Sequence, residues 1–139
     1  MTLPTQLTLE IVTPERAVAH ENVDEVEIPG AEGYLGVLPG HTPLLVTLQI
    51  GELWFRKGAQ ITYLSVAFGF AEVLPDRVRI LAQIAERADE IDTERAEAAV
   101  TRAQKRIASS MVDLDLARAQ LALLKSKVRL DVAKKDKLA

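Results

Sequence analysis

"ELWFRKGAQITYLSV", residues 52–66, reads as two short runs rich in aromatic and β-branched residues, meeting at Lys57-Gly58. That arrangement predicts a β-hairpin, since a Lys-Gly pair between apolar runs is turn chemistry. The same signal recurs on both sides. Upstream, "QLTLEIV" alternates, with Leu7, Leu9 and Ile11 on one face and Thr8 and Glu10 on the other. "VDEVEI" and "LLVTLQI" precede the hairpin, and "FAEVL" and "RVRILA" follow it. Breaks fall at Pro29-Gly30, Pro39-Gly40, Gly51, Gly69 and Pro75-Asp76. Short strands at roughly 8–12-residue spacing predict an all-β sandwich or barrel.

The period changes near Ala88. Asp92 is placed to cap a helix, and Glu94 and Glu97 set negative charge where the dipole favours it. Ala96, Ala99, Val100, Ala103 and Ile107 then share one helical face. After the "ASS" break, Ser110 and Asp113 resemble a capping box that starts a second helix. Its seam is expected along Leu114, Ala117, Leu121, Leu124 and Val128, leaving a second stripe of Leu116, Ala119, Leu123 and Leu130. The chain is therefore read as α+β: an N-terminal all-β sandwich over residues 1–86, then an antiparallel α-helical hairpin over 87–139. A helix apolar on two sides needs two neighbours. A seam built largely of alanine closes weakly, because a buried methyl contributes roughly 0.8 kcal/mol against about 1.5–3 for a Leu or Ile side chain. The hairpin is accordingly expected to be a detachable arm.

Composition narrows the function classes. The 139 residues hold no cysteine, so neither disulfides nor thiolate metal sites form. No apolar run reaches about 18 residues, and the start lacks the pattern of a signal peptide. The net charge of −3 hides an asymmetry: residues 117–139 carry seven basic and two acidic side chains. That tail suits a solvated helix face or an acidic partner. It suits nucleic acid poorly, having no aromatic residue for stacking.

"GAEGYLGVLPGHTPLL", residues 30–45, is where chemistry is sought. A phosphate loop needs Gly-Lys-Ser/Thr opening a helix, a dinucleotide fingerprint needs G-x-G-x-x-G, and a nucleophile elbow needs G-x-S-x-G; none is present. His41 has no Ser or Cys partner in view, and His20 with His41 makes no metal site without a third ligand. The segment reads as a corner: Gly30, Gly33, Gly36 and Gly40 permit positive φ or close approach, and His41 shapes a tight turn before a buried strand. No catalytic residues or metal ligands are assigned.

The same residues carry a resemblance. Gly30-x-Glu32-Gly33-x-Leu35-Gly36-x-x-Pro39-Gly40-His41-x-Pro43-Leu44-Leu45 resembles the epsilon subunit of bacterial F-type ATP synthases. "YLSVAFGFAEVLPDRVRILA", "IDTERAEAA" and "IASSMVDLDLARAQLALLKSKVRL" resemble that family's later strands and two C-terminal helices, in order. The resemblance implies a ten-stranded sandwich and a helical pair. It implies a non-catalytic central-stalk subunit that grips gamma, rests on the c ring and couples ion flow to ATP synthesis. It would lie peripherally at the cytoplasmic face of the bacterial plasma (inner) membrane. Its helices would extend toward the catalytic alpha/beta subunits and inhibit ATP hydrolysis. Partner contacts are expected from Tyr34 and His41 at the corner, and from Arg118, Lys125 and Lys127 on the second helix.

The resemblance further implies a regulatory ATP, though no required cofactor. Ile91-Asp92-Thr93-Glu94-Arg95-Ala96 matches the family's nucleotide motif at its fixed positions; Glu86, Arg102 and Arg129 match or lie near further positions. Arg95 and Arg102, seven apart, share a helix face and suit one phosphate chain. The residues by themselves equally support Asp92 as a plain helix cap and the arginines as solvated charges. A second class also fits the pattern: a free-standing β-sandwich binding module dimerising through its hairpin.

Overall fold

The computed structural model describes residues 3–109 and 113–138. Ser110, and the side chains of Asp113 and Leu114, lie outside the described residues. The chain divides into two compact units, Met1–Arg87 and Ala88–Ala139.

Among its described residues the first unit holds eight strands: β1 (Leu7–Val12), β2 (Ala17–Val23), β3 (Glu25–Gly30), β4 (Gly33–Val37), β5 (Leu44–Leu48), β6 (Gly51–Lys57), β7 (Gln60–Leu74) and β8 (Arg77–Arg87). The expected hairpin is β6–β7, with Lys57 opposite Gln60 across a two-residue loop. β2 and β4 went unread in the sequence. β2, "AVAHENV", alternates poorly, and the glycines of β4 mask it as loop.

Eight strands stand among the described residues where ten were expected, and two of them, β7 and β8, are long. The first half of β7 pairs with β6, Gly51 opposite Val66, whereas its second half pairs with β5, Leu48 opposite Gly69. β8 follows β7 through both halves. The ladder runs Ala67 with Ile84, then Gly69 with Ala82, in unchanged register. At this step Phe68 and Gly69 take positive φ angles of 59° and 117°. β7 thus passes from β6 to β5 at this step, with β8 paired to it on both sides of the step. One layer is β2-β1-β8-β7-β5, with β1 parallel to β8. The other joins β4, β3 and β6 to the first half of β7.

The period-2 pattern puts one face of each strand inside. Leu7, Leu9 and Ile11 of β1 are fully buried with Val78 and Ile80 of β8, Val73 of β7, Leu53 of β6 and Ile28 of β3. The core is aliphatic, each large side chain contributing about 1.5–3 kcal/mol on burial. Outside it, Asp24 ties the start of β3 to the β6–β7 turn. Its carboxylate accepts the Gly58 N–H at 2.7 Å and the Gln6 amide at 3.2 Å, and lies 3.7 Å from Arg56. The Gly58 bond, then that of Gln6, holds this carboxyl below its ordinary value.

In the second unit a 3₁₀ turn, Ala88–Glu90, leads into α1 (Thr93–Ser109), followed by α2 (Asp113–Leu138). The Asp92 carboxylate accepts the Arg95 N–H at 3.2 Å, the capping role expected of it. α1 buries Ala96 and Ala103 and half-buries Ala99, Val100 and Ile107, as its periodicity predicts.

α2 corrects the reading. It packs along α1 and against the 3₁₀ turn. A stripe it turns inward is Leu116, Ala119, Leu123, Ser126, Leu130 and Ala133, spaced 3, 4, 3, 4, 3, with the fully buried Val132 beside its end. Of the residues expected in the seam, Ala117, Leu121 and Leu124 are exposed, whereas Val128 is half-buried. Both stripes have helical periodicity. The inward one carries a small residue every seventh position, at Ala119, Ser126 and Ala133, and so admits a closer approach of α1, whose buried Ala96 and Ala103 are also seven apart. Ser126 satisfies its buried hydroxyl by donating to the Ala122 carbonyl at 2.7 Å. Ile91 and Val132 are the only larger aliphatics buried among the described residues of this unit.

Candidate functional site

The corner segment is built around a tight turn. The His41 N–H donates to the Leu38 carbonyl at 3.2 Å across Leu38-Pro39-Gly40-His41. Pro39 fixes the second position, and Gly40, at φ 88°, supplies the positive φ of a type II turn. His41 is half-buried, and its Nδ1–H donates to the Thr42 carbonyl at 2.7 Å. Its ring is thereby engaged in shaping the chain. Of the four corner glycines, Gly33 and Gly40 have positive φ; Gly36 sits in β4, and Gly30 gives close passage to the Gly33 carbonyl.

Two features of this corner depart from the sequence reading. It contains the strand β4, and β5, expected to be buried, exposes most of its length. Tyr34 is 57% exposed, Leu44 44% and Leu45 70%. Together with Gly30, Glu32 and Val46 they line a groove of about 420 Å³. Phe70 of β7 and Leu81 of β8 are cross-strand partners, each about half exposed. They form an apolar row on the outer sheet face beside the charged row of Glu72, Arg79 and Glu10, where Arg79 lies 3.3 Å from Glu10. Sequence reasoning passed over Leu44, Leu45, Phe70 and Leu81 because an apolar residue in a strand is assigned to the core by default. The doubled leucine at 44–45 was the available signal, since two successive strand residues cannot both face inward.

On the arm, Asp92, Arg95, Arg102, Arg118 and Lys127 are exposed, and Lys125 and Arg129 are half-buried. Arg95 and Arg102 stand two turns apart on one face of α1, about 10 Å along the axis. Glu86, on β8 opposite Ser65, belongs to the sandwich unit rather than to the helical one. The exposed stripe of Ala117, Leu121 and Leu124 runs beside Arg118 and Lys127. Among the described residues no three His, Asp or Glu side chains gather as a metal-binding group. No helix among them is long and apolar enough to cross a membrane.

Comparison with known proteins matches both units. A family model described as "ATP synthase, Delta/Epsilon chain, beta-sandwich domain" covers residues 6–88, and one described as "ATP synthase, Delta/Epsilon chain, long alpha-helix domain" covers residues 89–134. An ATP synthase epsilon chain of Syntrophobacter fumaroxidans is 50% identical over 130 residues, spanning 94% of this chain and 97% of that one. One from Solibacter usitatus is 50% identical over 113 residues, 81% of this chain and 84% of its own length. Among solved structures, a chain of the Euglena gracilis mitochondrial ATP synthase superposes with a TM-score of 0.82 at 24% identity. That match covers 100% of this chain and 85% of that one, a likeness of fold.

Proposed function

The chain belongs to the ATP synthase delta/epsilon family as an epsilon chain, and from that membership we propose how its two units divide the work of a non-catalytic central-stalk subunit. Residues 1–86 form the stalk-binding base. Its half-exposed Tyr34, Leu44, Leu45, Phe70 and Leu81 supply apolar surface for gamma and the c ring, with His41 holding the corner in shape. Residues 87–139 form a regulatory arm directed at the catalytic alpha/beta subunits. The observation that carries this is the two-sided α2. Its inward stripe of alternating leucines and small residues meets the buried alanines of α1, while Leu121 and Leu124 remain exposed beside Arg118 and Lys127 for a second partner. Through the complex, the chain sits peripherally at the cytoplasmic face of the bacterial inner membrane. ATPase activity of the assembled head, measured with the whole chain and with a chain ending after Glu86, tests the arm. Truncation is expected to raise hydrolysis severalfold; unchanged activity removes the inhibitory role. A free chain eluting as a homodimer and failing to join gamma would favour the independent binding module instead.

Regulatory ATP is the second part of the proposal. Arg95 and Arg102 are both exposed on one face of α1, beside a helix start ordered by Asp92, and this favours a phosphate chain lying along α1. Arg129 of α2, half-buried on the neighbouring helix, would join them. ATP at ten times its dissociation constant stabilises the state it binds by about 1.4 kcal/mol, a meaningful bias on a seam to which α1 contributes only Ala96 and Ala103 as buried residues. Calorimetric titration of the free chain should give saturable heat that weakens about tenfold or more in Arg95→Ala. No heat at millimolar ATP ends this reading and leaves the stalk role untouched.

A further inference from the structure

The groove at the corner has polar walls as well as apolar ones, and the main chain supplies them. β5 is paired with β7 along its whole length, Leu44 opposite Val73 through Leu48 opposite Gly69. On its other side it meets β3 at Leu48 opposite Gly30 alone. There the Ala31 N–H donates to the Thr47 carbonyl at 2.8 Å, and the Gln49 N–H donates to the Pro29 carbonyl at 3.1 Å. In an antiparallel strand alternate residues send both main-chain groups to the same side. Thr47 and Gln49 therefore fix the direction of Leu45, whose N–H and C=O point away from β7 into the groove. The β3–β4 hairpin turns back at Ala31-Glu32 and leaves this stretch of edge uncovered. Among the described residues, no hydrogen bond reaches Leu45 from that side.

We propose that the β5 edge at Leu45 is a strand-addition site for an extended segment of a partner polypeptide that places a basic side chain beside Glu32. This rests on the stalk reading and specifies how the corner holds its partner. An extended segment is required because only an unpaired backbone can answer the N–H and C=O of Leu45 together; a helix has spent these groups internally. Continuing the β3 register past Gly30, such a segment lies opposite Val46 to Leu44, in line with β3. Its side chains alternate between the surface of Tyr34 and Leu44 and the mouth of the groove. Among the described residues Glu32 is the one charged residue lining the groove, and it is exposed, so it selects a cation there. An uncovered edge flanked by apolar side chains is a hazard in a free protein and an asset in a subunit.

The test is residue-resolved amide exchange of the chain alone and in the assembled ATP synthase. In the free chain the Leu45 amide should exchange nearly as fast as an unprotected one. In the assembly it should slow about 100-fold or more. Glu32→Lys should weaken retention of the chain by roughly fivefold and partly restore Leu45 exchange, with Glu32→Gln intermediate. Fast Leu45 exchange in a chain that remains in the assembly overturns strand addition and leaves only side-chain contact. Protection that rises with the concentration of the free chain assigns the edge to a second copy and also overturns it. A chain that never enters the assembly defeats the stalk reading, and this inference with it.

Discussion

Gly69→Ala is expected to destabilise the sandwich by about 3 kcal/mol or more, lowering its thermal midpoint by roughly 12–24 °C. Two costs coincide at this position. Its φ of 117° is a backbone state that L side chains rarely adopt, and a Cβ built there would lie 2.0 Å from the Leu81 carbonyl oxygen and 2.9 Å from the Ala82 Cα. The obstruction is main chain on both counts, so no side chain can rotate out of the way. Relief requires β7 and β8 to separate where both pass between layers. The layers share these two strands, so the damage is global. Thermal unfolding followed by circular dichroism measures it. A midpoint within about 2 °C of the parent would show that the corner yields, and would remove Gly69 as the reason β7 turns there. Gly36, where an added Cβ meets nothing within 4 Å, serves as the control position.

The second large effect concerns the arm. Ala119→Glu should cost the hairpin about 3 kcal/mol or more, because position 119 is 1% exposed and an unpaired carboxylate there loses its hydration. Leu121→Glu, two residues on at a site 45% exposed, should change stability by no more than about 0.5 kcal/mol. Amide exchange of α1 reads the difference, since α1 packs along α2 and most helical stability in a protein comes from such packing. Protection in α1 should fall by about 100-fold for Ala119→Glu and by no more than about twofold for Leu121→Glu. The reverse order would restore the seam along Leu121 and Leu124 and undo the assignment of that stripe to a partner.

How far the residues alone carried the fold depends on how many local signals agreed at each place. In β1, β6, both halves of β7 and the first half of β8, alternation, β-branching and bounding turns pointed the same way. Strands lie where these signals set them, although β8 runs on to Arg87 beyond the stretch read. The Asp92 cap and the face of α1 were equally legible, because a cap and a single stripe leave one solution. β4 was hidden by glycines, which weaken the strand signal while still accepting a strand's dihedrals. The expectation of a buried β5 failed for a different reason. Apolar character was equated with burial, yet an edge surface meant for a partner is apolar too. Tyr34, expected as a partner contact, is exposed.

The sequence by itself determined the two-part architecture, the strand and helix periods, and the chemistry absent from its motifs, since all of these follow from residues within a few positions of one another. Only the tertiary structure decided which stripe of α2 closes on α1, where β7 and β8 bend, and which main-chain groups of β5 are left over. Two apolar stripes of equal period are degenerate until a neighbouring helix selects the one that allows closer approach. A free strand edge likewise does not exist until the rest of the sheet has taken its places.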